Sequence, residues 1–100
     1  MYRFMRTATI KTFADLPAAL QFATDVTSYM NKNHSVNMKF GFEVYGEHRI
    51  HWHFDSESPD KLRDINAKII KDREYWGIVK KAKDVFVEGS QKDMLLNCPD

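Results

Sequence analysis

His51 and His53 are the residues of this chain best suited to chemistry. Two positions apart on a strand, their side chains point the same way, about 7 Å apart by strand rise. Imidazole has its ordinary pKa close to neutrality, so either histidine can take up or release a proton in water at neutral pH. Arg49, Tyr45 and Glu43 alternate in step with the histidines along the flanking segments. If those segments pair as a hairpin, all five side chains share one face. The chemistry this allows is proton transfer, with His51 or His53 as base and Tyr45 and Arg49 orienting a substrate or holding a developing oxyanion. Two imidazoles and a carboxylate would also suit a divalent first-row metal. A true metal site adds a third protein ligand from elsewhere, and none is evident, so no metal and no cofactor are assigned. The plainer reading is favoured on residue types alone, because a His-x-His strand is common: the group is then a hydrogen-bonded polar layer on a wet face or at a subunit interface.

The elements that must position these residues are legible from periodicity. Met38, Phe40, Phe42 and Val44 alternate with Lys39, Gly41, Glu43 and Tyr45, and Ile50, Trp52 and Phe54 alternate with Arg49, His51, His53 and Asp55. Both runs read as strands, joined through Gly46-Glu47-His48. A two-residue loop would set Phe42 against His51 and mix apolar with charged side chains on both faces. A three-residue loop at 46–48 pairs Val44 with Ile50, Phe42 with Trp52 and Phe40 with Phe54, and places Glu43 opposite His51. A five-residue loop is the fallback of the same parity and keeps the same faces.

Residues 2–11 read as a first strand, with Phe4, Ala8 and Ile10 on one face. Arg6 interrupts that face and Met5 sits opposite, so the buried side is undecided. A helix follows, with Asp15 as cap, Pro17 in the first turn, and Leu16, Leu20, Ala23, Val26 or Thr27, and Met30 at helical spacing. Ser58-Pro59-Asp60 starts a second helix with Leu62, Ile65, Ile69, Ile70 and Trp76 as its buried stripe, ended or bent at Gly77. Asp84–Glu88 reads as the last core strand. Met94-Leu95-Leu96 reads as a short apolar tail. Packing is the better reading for Trp52 and Trp76, though Trp52 could also line a ligand pocket between sheet and helices.

The order strand, helix, hairpin, helix, strand resembles the ferredoxin-like fold, and the occupied sheet faces resemble its dimeric α/β-barrel group. That group includes antibiotic-biosynthesis monooxygenase-like and NIPSNAP-like proteins. The resemblance covers residues 2–96 in layout only, so no functional residue is carried over from it. It implies an α+β, β-α-β-β-α-β protein: an antiparallel four-stranded sheet, two helices on one face, and a second copy packed on the other. It also implies a homodimer that binds a small organic ligand, with cofactor-independent monooxygenase- or isomerase-like chemistry. The alternative is a non-catalytic dimeric scaffold or accessory binding domain. The sheet face carrying Met5, Tyr45 and Gly41 would otherwise be left to water, which independently favours two-fold self-association.

The bulk numbers narrow the rest. One hundred residues, 43% hydrophobic and 13% aromatic, make one folded domain. The expected core is 2–89, with a tail at 90–100. A net charge of +1 gives no general pull toward nucleic acid or an anionic membrane. Lys39–Tyr45 resembles the aromatic strand motif of RNA-recognition domains, but it lacks the glycine after the basic residue, lies on the wrong strand and turns Phe40 and Phe42 toward the helices. The single cysteine, Cys98, excludes an internal disulfide and is read as inert. No run approaches a membrane helix and the N-terminus has no signal-peptide pattern, so the expected location is cytoplasmic.

Overall fold

The computed structural model describes residues 1–99. Strand β1 (Tyr2–Thr9) leads through a 3₁₀ turn at Phe13–Asp15 into helix α1 (Leu16–Asn33). Strands β2 (Lys39–Phe42) and β3 (Arg49–Ser56) follow, then helices α2 (Pro59–Ile70) and α3 (Arg73–Lys80), then strand β4 (Lys92–Asn97). The strands form one antiparallel sheet in the order β2-β3-β1-β4.

The sheet has two unlike faces. Phe4, Ala8, Ile50, Trp52 and Phe54 share one, and with Ala19, Ala23, Val26 and Met30 of α1 and Leu62 of α2 they form the core. Ile50 is the largest side chain wholly removed from solvent. Phe86 completes an aromatic group, its ring 5.6 Å from Phe22 and 6.2 Å from Trp52. Arg6 belongs to this face, paired with Trp52 across β1–β3 and with Asp93 across β1–β4. Its guanidinium bonds Asp93 at 2.7 and 2.9 Å and lies 5.5 Å from the Phe4 ring centre. The conflict in the first strand is thereby resolved: Arg6 lies on the helix face, its charge held at the margin of the core, and Met5 faces the other way.

The structure corrects four expectations. Residues 84–88 are not the last strand. They turn past the end of β1 and pair only at Ile10–Phe86, with Lys11 and Val87 N–H groups bonding Val85 and Thr9 carbonyls at 2.8 Å. The edge strand is β4, built from the segment read as an apolar tail. Cys98 also continues this tie, its N–H donating to the Met1 carbonyl at 2.8 Å. The β2–β3 register follows the five-residue loop: Phe42 pairs with Ile50, and Glu43 N–H bonds the Arg49 carbonyl at 3.0 Å. The faces are unchanged, as a two-residue shift requires.

The second helical segment breaks at Lys71–Asp72 rather than at Gly77, because Asp72 caps a new helix. Its Oδ1 accepts the N–H groups of Glu74 and Tyr75 at 3.1 and 3.3 Å. Its Oδ2 accepts the Tyr29 hydroxyl at 2.5 Å and faces His34 Nε2 at 2.9 Å, tying the end of α1 to the start of α3. Finally, Ile70 and Trp76 are exposed rather than buried, and the Trp76 indole N–H donates to the Ile69 carbonyl at 3.0 Å. Ser58 caps α2 as expected, accepting the Lys61 N–H at 3.3 Å.

Candidate functional site

The other face of the sheet carries the residues with chemical potential. Its cross-strand rows can be read directly from the register. Gly41, His51, Thr7 and Lys92 form one row, and Lys39, His53, Met5 and Met94 form the next. Beyond these, Asp55, Arg3 and Leu96 form a third row. On the opposite side lie Arg49 and Thr9, with Glu43 level with Arg49. Arg3 bonds Asp55 through Nε at 2.8 Å, which holds the Asp55 carboxyl below its usual pKa.

His51 is organised by Glu43. Glu43 Oε2 lies 2.6 Å from His51 Nε2 and accepts Arg49 Nε at 2.6 Å. Its Oε1 accepts the Glu47 N–H at 2.8 Å. These donors hold the Glu43 carboxyl down at about 2: the bond to His51 contributes most, then the Glu47 amide, with burial opposing them and Arg49 adding a smaller lowering. Glu43 is therefore ionised at neutral pH. Local sequence makes this possible. The 44–48 loop turns back on itself with Gly46 at φ 131° and His48 at φ 57°, and a Cβ on Gly46 would lie 2.6 Å from Glu43 Oε1. Glycine at 46 thus admits the carboxylate into the turn.

The expected site residues are brought together only in part. His51, Glu43 and Arg49 converge, and His53 shares their face one row away. Tyr45 does not join them: it is 92% exposed in the loop, because the five-residue turn carries it past the end of the sheet. Trp52 is buried on the helix face, so no single small ligand can meet both Trp52 and His51. Its indole N–H is buried without a hydrogen-bond partner among the described residues. Phe40 and Phe42 lie on the helix face as well, where they cannot stack bases. No group of three or more His, Cys, Asp or Glu among the described residues is arranged to hold a metal ion.

Two clefts flank the cluster. One, of about 310 Å³, lies on the open face and is lined by Thr7, Thr9, Arg49, Ser90 and Lys92, with Glu47 and Glu88 also in its wall. The other, of about 170 Å³, sits at the sheet end among Ile10, Phe13, Leu16, Phe42, Val44 and His48. The first was not legible in the sequence, since Thr7 and Thr9 look like ordinary strand residues and Lys92 lay in the supposed tail.

No protein family and no curated protein matches the chain in sequence. Solved structures do resemble it. A NIPSNAP family protein of unknown function from Agrobacterium tumefaciens superposes with a TM-score of 0.78 at 20% identity, over 96% of this chain and 86% of that one. An antibiotic biosynthesis monooxygenase superposes at 0.73 with 9% identity, over the whole of both chains. The fold is ferredoxin-like, of the NIPSNAP and monooxygenase-like kind. A variant of SnoaB, a cofactor-independent oxygenase from Streptomyces nogalater, superposes at 0.70 with 9% identity, over 99% of this chain and 93% of that one. At these identities the likeness is one of fold, and the ferredoxin-like fold hosts many unrelated functions. No described helix is long and apolar enough to cross a membrane.

Proposed function

We propose that the protein is a homodimer in which a second copy packs over the open face of the sheet, and that a small organic molecule binds in the space left between the two sheets, with His51 exchanging a proton with that molecule. The carrying observation is the Glu43–His51 pair at 2.6 Å. An ionised Glu43 accepts the Nε2–H, which leaves Nδ1 with its lone pair free to act as base. When His51 takes a proton, Glu43 stabilises the resulting imidazolium. Arg49 positions the carboxylate that orients His51, and His53 extends the polar surface toward Met5 and Met94. Proton abstraction is the first step of a cofactor-independent oxygenation, the activity of the oxygenase among the similar folds, and equally of an isomerisation.

The dimer reading is supported by exposure. Every residue of β4 is exposed, and Met94, Leu95 and Leu96 are 57, 47 and 39% exposed. An apolar edge strand open on both faces is an association surface, and a second copy is its simplest cover. The ion pairs Arg3–Asp55 and Arg49–Glu43 on that face are closed within one chain, so these carboxylates need no cation from a second copy.

The test is a native mass spectrum of the purified protein with and without the double replacement His51→Ala, His53→Ala. The proposal expects a dimer with bound organic mass that the double variant loses. Undiminished ligand binding and turnover in that variant would remove the histidines from the account. A non-catalytic dimeric scaffold is the second reading. It is favoured by Tyr45, which the fold sends into solvent, and by His51 lying beside the open-face cleft rather than in its wall.

A further inference from the structure

We infer that the ligand is an organic carboxylate with an apolar body, its acid group seated at Lys92, Thr7 and Ser90 and its body lying over Met5 and Met94. This rests on the proposed small-molecule reading and names its ligand class. The polar and apolar parts of the open face are adjacent rows of one surface. Thr7 pairs with Lys92, and the next row pairs Met5 with Met94. The cleft of about 310 Å³ opens over the first of these rows, at the small end of the ~300–1,000 Å³ range of ligand sites.

The charge pattern selects an acid. Arg49 is committed to Glu43 at 2.6 Å. Among the described residues, Lys92 has no acidic partner within ion-pair distance. Hydroxyl donors surround it. Ser90 Oγ accepts the Thr9 N–H at 3.1 Å, which leaves its own O–H free to donate, and Thr7 and Thr9 line the same cleft. One cation with several hydroxyl donors suits one carboxylate. Glu47 and Glu88 also line the cleft, and Glu47 lies 3.9 Å from Arg49 Nη1, which offsets part of its charge. A carboxylate is disfavoured beside these two acids and favoured beside Lys92. His51 stands on the same row as the acid's seat, two strands from Lys92 with Thr7 between them.

Octanoate is the probe, and 1-octanol, with the same tail and no charge, is the comparison. Both are titrated into the wild-type protein and Lys92→Met while backbone amides and Met methyl groups are followed by NMR. Light scattering on the same samples reports the assembly. The expected result is saturable octanoate binding that shifts the Thr7, Thr9 and Lys92 amides and the Met5 and Met94 methyls. Lys92→Met should weaken it about tenfold or more, and 1-octanol should bind weakly and equally to both proteins. Equal octanoate affinity for both proteins, or shifts confined to other residues, overturns the inference. An intact dimer that binds no octanoate overturns it too, while leaving the dimer reading in place. A monomer that binds octanoate at these residues supports it and removes the dimer instead.

Discussion

Glu43 does not stand opposite His51 in the sheet, yet its Oε2 lies 2.6 Å from His51 Nε2. The carboxylate leans from the level of Arg49 to reach the next row, held there by the Glu47 amide and Arg49 Nε. The pair therefore survives a register two residues away from the one that would have set the two residues face to face.

The ionised state of Glu43 has a pH signature. Its folded pKa of about 2 lies below the ordinary 4.5, so the unfolded chain binds the extra proton. Its contribution to stability is complete above about 4.5 and fades as pH falls toward about 2. Urea unfolding of wild type and Glu43→Gln should show the wild type ahead near neutrality, with the gap closing between those limits. A gap constant with pH would show that the carboxylate is not held by these bonds.

Tyr29 carries the opposite signature. The bond to Asp72 and then burial raise its hydroxyl to about 12, so it should remain protonated when an ordinary tyrosine has titrated. An ultraviolet titration of the folded protein should show a late phase that is absent in Tyr29→Phe. The stability from this bond is present below about 10 and is lost as pH rises toward about 12. Asp72→Ala should also remove the cap of α3 and cost about 1–2 kcal/mol from the cap alone.

Ile50 sets the scale of the core. It is fully buried on the helix face of β3, so Ile50→Ala should destabilise by about 2–5 kcal/mol in equilibrium unfolding. Thr27→Val tests the reverse case. The Thr27 hydroxyl is buried without a hydrogen-bond partner among the described residues, and removing it at nearly constant shape should raise stability by about 1 kcal/mol.

The fold was legible wherever one chain supplies the burial that sets the pattern. β3 reads cleanly because Ile50, Trp52 and Phe54 are buried and their neighbours are not. β4 does not, because Met94, Leu95 and Leu96 are apolar in succession with no alternation to mark a face. Val85-Phe86-Val87 has strand composition, but its burial comes from Phe86 packing against both Phe22 and Trp52. Of the site, the shared face of His51, His53, Arg49 and Glu43 followed from parity alone. The position of Tyr45 did not, because it depends on loop length, which parity leaves open. Asp72 was missed because a helix cap inside a continuous amphipathic run leaves no gap in the periodicity.

The central claim is that the open face of the sheet is covered by a second copy, and light scattering across a micromolar concentration series tests it most directly. The wild type should scatter as two chains, and Met94→Lys with Leu96→Lys should scatter as one while keeping its circular dichroism. A wild-type protein that stays a single chain throughout the series would contradict the account.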